Sequence, residues 1–92
     1  MTKNEKSLLL FLETQAVDHG GALDGRHMNA DDFAIAVRWR DEGFLRRFER
    51  IPAALLGAYH PRTHIVVLSP EAFVLAHSER LARAALDACR GG

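Results

Sequence analysis

Ninety-two residues, 48% of them apolar and 26% charged, suit a single small core. A chain of this size buries only about 60–65% of its unfolded surface and has no room for a second domain. Twelve basic and twelve acidic side chains cancel, so any cationic surface has to be local, unlike the overall basic excess of a dedicated nucleic-acid binder. Cys89 is the only cysteine, which excludes an intrachain disulfide and a cysteine-rich zinc site and fits a reducing compartment.

The apolar run Leu8–Leu12 is interrupted by Glu13 and is too short for a signal-peptide core or a membrane span, so the chain is expected in the cytoplasm, away from membranes. A first helix is predicted over residues 4–18. Thr2 and Glu5 have the spacing of a capping box, and Leu8, Leu9, Leu10, Phe11 and Leu12 cover nearly its whole circumference. A helix apolar all round is buried or shared with a partner. Gly20-Gly21 closes it, and residues 19–29 read as a connector with Leu23 and Met28 as inward anchors and Asp24-Gly25 as a tight turn.

Asn29 has the position of an N-cap for a second helix, Ala30 to about Glu42, with Asp31 and Asp32 in its first turn. Phe33, Ala36, Val37 and Trp39 form its apolar face, and Arg40 falls close to the middle of that face, where it requires a partner such as Asp24 or Asp32. Gly43 stops the helix. Phe44–Ile51 carries two patterns. Phe44-Leu45, Phe48 and Ile51 are spaced as in a helix, whereas Phe44, Arg46, Phe48 and Arg50 alternate as in a strand; Gly43 tips the reading to a strand, and Pro52 ends it. Ala53–Gly57 reads as a short helical turn and Tyr59–Arg62 as a hairpin tip. Thr63–Leu68 is short and β-branched, a clear strand. Ser69-Pro70-Glu71 then starts a last helix with an apolar stripe of Val74, His77, Leu81, Ala84, Ala85 and Ala88. Running to Arg90 it would be about 33 Å long, more than a small core can cover. The expected class is therefore α+β: three main helices and a two-stranded hairpin in one domain, 1–92.

In order and layout, residues 5 to 90 resemble a winged helix-turn-helix domain. The segment Ala36-Val37-Arg38-Trp39-Arg40-Asp41-Glu42-Gly43-Phe44-Leu45 is similar to the end of a recognition helix passing through an acid-Gly-apolar-apolar step into a wing. Thr63–Leu68 followed by Ser69-Pro70-Glu71-Ala72-Phe73 is similar to a second wing strand entering a C-terminal helix, and Leu23–Asn29 resembles a stretch of small phage or prophage proteins of this shape. The family places a complete helix between its first and recognition helices. Here only about ten connector residues stand there, so that helix is degenerate.

The resemblance implies a non-enzymatic, DNA-binding regulator. Arg38, Arg46, Arg47, Arg50 and Arg62 are its candidate contacts, because arginines hold phosphates whatever the base sequence. Against groove insertion, the outward face of the second helix carries Asp31, Asp41 and Glu42 beside Arg38. The competing class is a phage-encoded inhibitor of a host protein complex, such as an anti-CRISPR or other anti-defence protein. In either class the apolar first helix and overlong last helix imply a homodimer or partner surface, with Leu8, Phe11, Leu12, Leu81 and Leu86 as its residues. No cofactor or metal is expected: His60 and His64 have no nearby third ligand. No catalytic group is expected either, since Ser69 serves as a cap and Cys89 has no adjacent base.

Overall fold

The computed structural model of the chain describes residues 1–52 and 62–91, with side chains through residue 86. The expected turn at Ala53–Gly57, the tip at Tyr59–Pro61 and the side chains of Ala88 and Cys89 lie outside the described residues. Among the described residues there are three α-helices, one 3-10 turn and one three-stranded antiparallel sheet, an α+β domain.

Helix α1 is Lys3–Asp18. Its capping box is complete: Glu5 N–H donates to Thr2 Oγ1 and Thr2 N–H to Glu5 Oε1, both at 3.1 Å. Leu8, Leu9 and Leu12 are buried, while Leu10 and Phe11 pack at the core's edge. The helix ends where the amides of His19 and Gly21 both donate to the Gln15 carbonyl, at 3.0 and 3.1 Å. Gly20 and Gly21 then take φ of 62° and 92°, a region glycine enters without a Cβ penalty.

The connector holds more structure than its sequence suggests, and the two-strand expectation is corrected to three. Strand β1, Ala22–Asp24, pairs antiparallel with β3, Thr63–Leu68, Leu23 lying opposite His64. Three residues without a β-branch carry almost no strand signal of their own. What makes the pairing possible is Gly21, whose carbonyl accepts the Val66 amide at 2.9 Å. A Cβ on Gly21 would stand 2.6 Å from the Val66 carbonyl oxygen. A 3-10 turn, Gly25–His27, follows and occupies the place before the second helix.

Helix α2, Ala30–Asp41, also opens on a capping box, with Asp32 N–H donating to Asn29 Oδ1 at 2.8 Å and Asn29 N–H to Asp32 Oδ2 at 3.2 Å. Ala36 and Trp39 are its buried residues, and the Trp39 ring meets Phe44 edge-on at 5.2 Å. Arg40 is not in the core: it is exposed, ion-paired to Asp41 at 3.2 Å, with Nη1 donating to the Phe48 carbonyl at 3.3 Å. The two acids suggested for it are taken, Asp24 by Arg26 and Asp32 by the cap. Gly43, at φ 84°, turns the chain out of the helix.

Strand β2, Leu45–Arg50, pairs with β3 and completes the sheet order β1-β3-β2. Between Leu45↔Leu68 and Arg47↔Val67 the register slips by one residue, so Arg46 is the extra residue of a β-bulge. That bulge resolves the double pattern in the sequence. Leu45 and Phe48 are both buried at three-residue spacing because of the inserted residue, and Ile51, buried just past the end of the strand, continues the spacing by which the segment imitates a helix.

Helix α3, Pro70–Gly91, is capped by Ser69, whose Oγ accepts the Ala72 amide at 3.1 Å. Ala72 and Ala76 are fully buried against the core, whereas Val74 and Leu81 are 64% and 59% exposed and His77, Ala84 and Ala85 are exposed with them. The apolar stripe read from the sequence is real, but it faces away from the core. Charged residues occupy the side facing α1: Arg80 Nε lies 2.8 Å from Glu13 Oε1 and Lys6 Nζ 3.9 Å from Glu79.

Replacing Gly21 by alanine should destabilise the domain by about 1–3 kcal/mol, since the new Cβ meets backbone and the residue must hold a positive φ. Gly20→Ala, whose Cβ would meet nothing within 4 Å, should cost less. Urea denaturation of both variants checks the order.

Candidate nucleic-acid interface

The five arginines singled out from the sequence do not form one patch. Arg38 projects from α2 back onto the first turn of α1, its Nη2 2.7 Å from Glu5 Oε2 and its Nε 3.9 Å from Glu42. Glu5 is prepared for this. The hydrogen bonds it shares with Thr2, backbone first, and the Arg38 charge hold its carboxyl below the usual range despite some desolvation. Arg38 thus ties α2 to α1. The rest of the outward surface of α2 shows Asp31, Asp41 and Glu42, all exposed.

Arg46 and Arg47 both stand in solvent on β2 because of the bulge. In an unbroken strand one of two neighbours would point inward. Arg47 is ion-paired with Glu49 two residues along. Arg46 and Arg50 form no ion pair among the described residues.

Arg50 and Arg62 are brought together. They line one cleft of ≈ 510 Å³ with Gly25, Arg26, Met28, Ala30, Phe33 and His64. The cleft lies where the 3-10 turn and the start of α2 meet the Arg50–His64 end of the β2–β3 ribbon. Its construction depends on the Arg62 carbonyl, which accepts the Gly25 amide at 3.1 Å and lies 2.9 Å from His64 Nδ1, the nitrogen that carries the proton in this contact. Gly25 has to be glycine here: a Cβ would stand 2.7 Å from the Arg62 oxygen and 3.2 Å from both His64 and Phe33. Behind the opening, His64 stacks on Phe48 at 5.2 Å and 18°, and Phe33 lies tilted at 5.2 Å from His64.

Arg26, absent from the sequence-derived set, joins this cleft. It grips Asp24 in a bidentate pair, Nε to Oδ1 at 3.0 Å and Nη2 to Oδ2 at 2.6 Å. The hydrogen bonds from Arg26 hold the Asp24 carboxyl far below its usual range. No carboxylate is among the described residues lining the cleft. The sequence signal that could have found Arg26 is Asp24-Gly25-Arg26, where the aspartate accepts the amide two residues on, at 2.9 Å, and so aims the following side chain. Among the described residues no three His, Cys, Asp or Glu side chains come together as a metal cage, and no helix is long and apolar enough to cross a membrane.

The expected partner residues divide as well. Leu8 and Leu12, at 4% and 0% exposure, are core residues of the chain itself, so they have no surface left for a second molecule; Phe11 is half-buried beside them. Leu81 and Leu86 stand out at 59% and 58%. No family model, no curated protein and no solved structure matches this chain.

Proposed function

We propose that this chain is a non-enzymatic DNA-binding module of the winged-helix type, a regulator that works as a homodimer and holds the phosphate backbone through its β2–β3 wing. The observation that carries this reading is the convergence of Arg50 and Arg62 on one cleft, with no carboxylate among its described lining residues, beside Arg46 on the same ribbon, three arginines in all. The order of elements supports it: a helix passes through Gly43 into a two-stranded ribbon that returns to a helix, and the 3-10 turn Gly25–His27 stands in place of the family's middle helix. Base reading by α2 in a major groove is not part of the proposal, because Asp31, Asp41 and Glu42 would meet phosphates with like charge. Phosphate contacts position a protein on DNA without reading sequence, so this interface supplies affinity and its selectivity follows DNA shape.

A second reading is favoured by that same acidic surface of α2, which suits a basic protein patch: a phage-encoded inhibitor that occupies a site on a host complex. A binding isotherm separates the two. With three phosphate contacts per chain, affinity for a random duplex should fall about 40-fold between 50 and 200 mM salt. The Arg46→Ala/Arg50→Ala double variant should weaken binding at low salt and lower the salt slope by about two. Undetectable duplex binding at low salt gives way to the protein-directed reading.

Arg38→Ala should behave differently from the wing variants. Its loss removes a tie to Glu5 in which the arginine side chain is 52% exposed, and a pair of this kind contributes about 0–1 kcal/mol. Thermal melting should register a small loss, and fluorescence anisotropy with labelled duplex should register no change in affinity.

A further inference from the structure

The arginines of the cleft leave one of its residues unexplained. His64 lines it with Arg50 and Arg62. In the β2–β3 register Arg50 stands directly opposite His64, so both side chains leave the sheet on one face as close cross-strand neighbours. The half-buried ring stacks on Phe48, and its Nδ1 lies 2.9 Å from the Arg62 carbonyl oxygen. A carbonyl only accepts, so the proton of the neutral ring sits on Nδ1 and Nε2 carries a bare lone pair. Nε2 itself has no hydrogen-bond partner. Because no buried side-chain nitrogen or oxygen among the described residues lacks one, Nε2 is within reach of solvent.

Resting on the reading of this cleft as a phosphate site, we infer that His64 is a further phosphate-binding residue, one that acts only in its protonated form. The neutral ring, locked in its Nδ1–H tautomer, offers an oxyanion nothing but a lone pair. Protonation makes Nε2 a donor and places a positive charge next to Arg50. Proton and anion therefore favour each other's binding. Affinity is greatest at low pH and declines as the ring loses its proton, within the range of about pH 5 to 8 where histidine changes charge. The Arg62 carbonyl makes the response conditional, because a ring free to carry its proton on Nε2 would donate at any pH. The charged groups around the ring keep their charge over this range. Arg50 comes from β2, Arg62 from β3 itself and Arg26 from the 3-10 turn; Asp24 of β1 is held ionised by its hydrogen bonds from Arg26. Glu49, opposite Ile65, leaves by the other face of the sheet. Helix α2 presents Phe33 and Ala30 here, and His27 is exposed and outside the lining.

Affinity of the full chain for a random duplex at low salt should fall about tenfold from about pH 5.5 to about pH 7.5, the effect of losing one charge-assisted hydrogen bond. His64→Asn keeps an amide nitrogen near the Nδ1 position for the Arg62 carbonyl and has no Nε2. Its affinity should match the wild type at the upper pH and stay nearly level below it. Wild-type binding that is level with pH, or a fall as steep in His64→Asn, overturns the inference and leaves the wing reading standing. Sulfate, fully ionised throughout this range, tests the site without DNA and without a substitution. In proton NMR of the wild-type chain, sulfate should move the titration midpoint of the His64 ring to higher pH relative to chloride at equal ionic strength. No movement overturns the inference. A chain that ignores duplex at every pH but shows the sulfate response sinks the nucleic-acid reading and leaves the acid-dependent anion site in place.

Discussion

Everything in this domain depends on β3 being paired along both edges. Its Val66 amide is bonded to Gly21 on one side, and Val66 itself faces Phe48 on the other. Val66 and Leu68 project into the core from this strand, at 1% and 3% exposure. With only β2 as a neighbour the ribbon would be an isolated hairpin, a structure marginal in water. The third strand, short as it is, anchors the ribbon to the end of α1. The close backbone contact at Gly21 is therefore worth more than the three residues of β1 suggest.

The helices were legible in the sequence because their signals are local. Thr2 with Glu5, Asn29 and Ser69 with Pro70 mark helix starts within four residues, and each caps its helix as read, Asp32 closing a capping box with Asn29 that was not foreseen. The turn at Gly43 was equally plain, since a positive φ there needs glycine. What was not legible depends on distant partners. Ala22-Leu23-Asp24 becomes a strand only because Ile65, His64 and Thr63 lie opposite. The bulge at Arg46 hides in a pattern that fits two structures until the register with Leu68 and Val67 is known. The α3 stripe was read correctly as apolar, but not which way it faces, because periodicity gives the existence of a face and not its direction. Of the candidate site, Arg50 and Arg62 meet as a hairpin would bring them, whereas Arg38 is turned away by Glu5, a residue 33 positions earlier.

Formal neutrality conceals an uneven surface. Arg26, Arg38, Arg40, Arg47, Arg80 and Arg83 all stand beside a carboxylate. Individually such exposed pairs add little to stability. Their larger effect is to cancel the field of those six arginines locally, whereas Arg46 and Arg50, which form no ion pair among the described residues, both belong to β2. A globally balanced chain can in this way carry a directional field on one element.

The inserted residue in β2 also has a consequence for how this surface can vary. Leu45 and Phe48 hold the ribbon to the core from either side of the insertion, so residues 46 and 47 are both released from packing. Their chemistry can drift, from arginine to acid or amide, without disturbing a single buried contact. Loss of one residue there closes the ladder: Leu45 and Phe48 become alternate positions of an unbroken strand, both still inward, with a single exposed side chain between them. The ribbon is thus permissive toward exchange and toward shortening by one residue, which leaves both the identity and the number of side chains at this edge of the molecule open to change while the buried anchors stay in place.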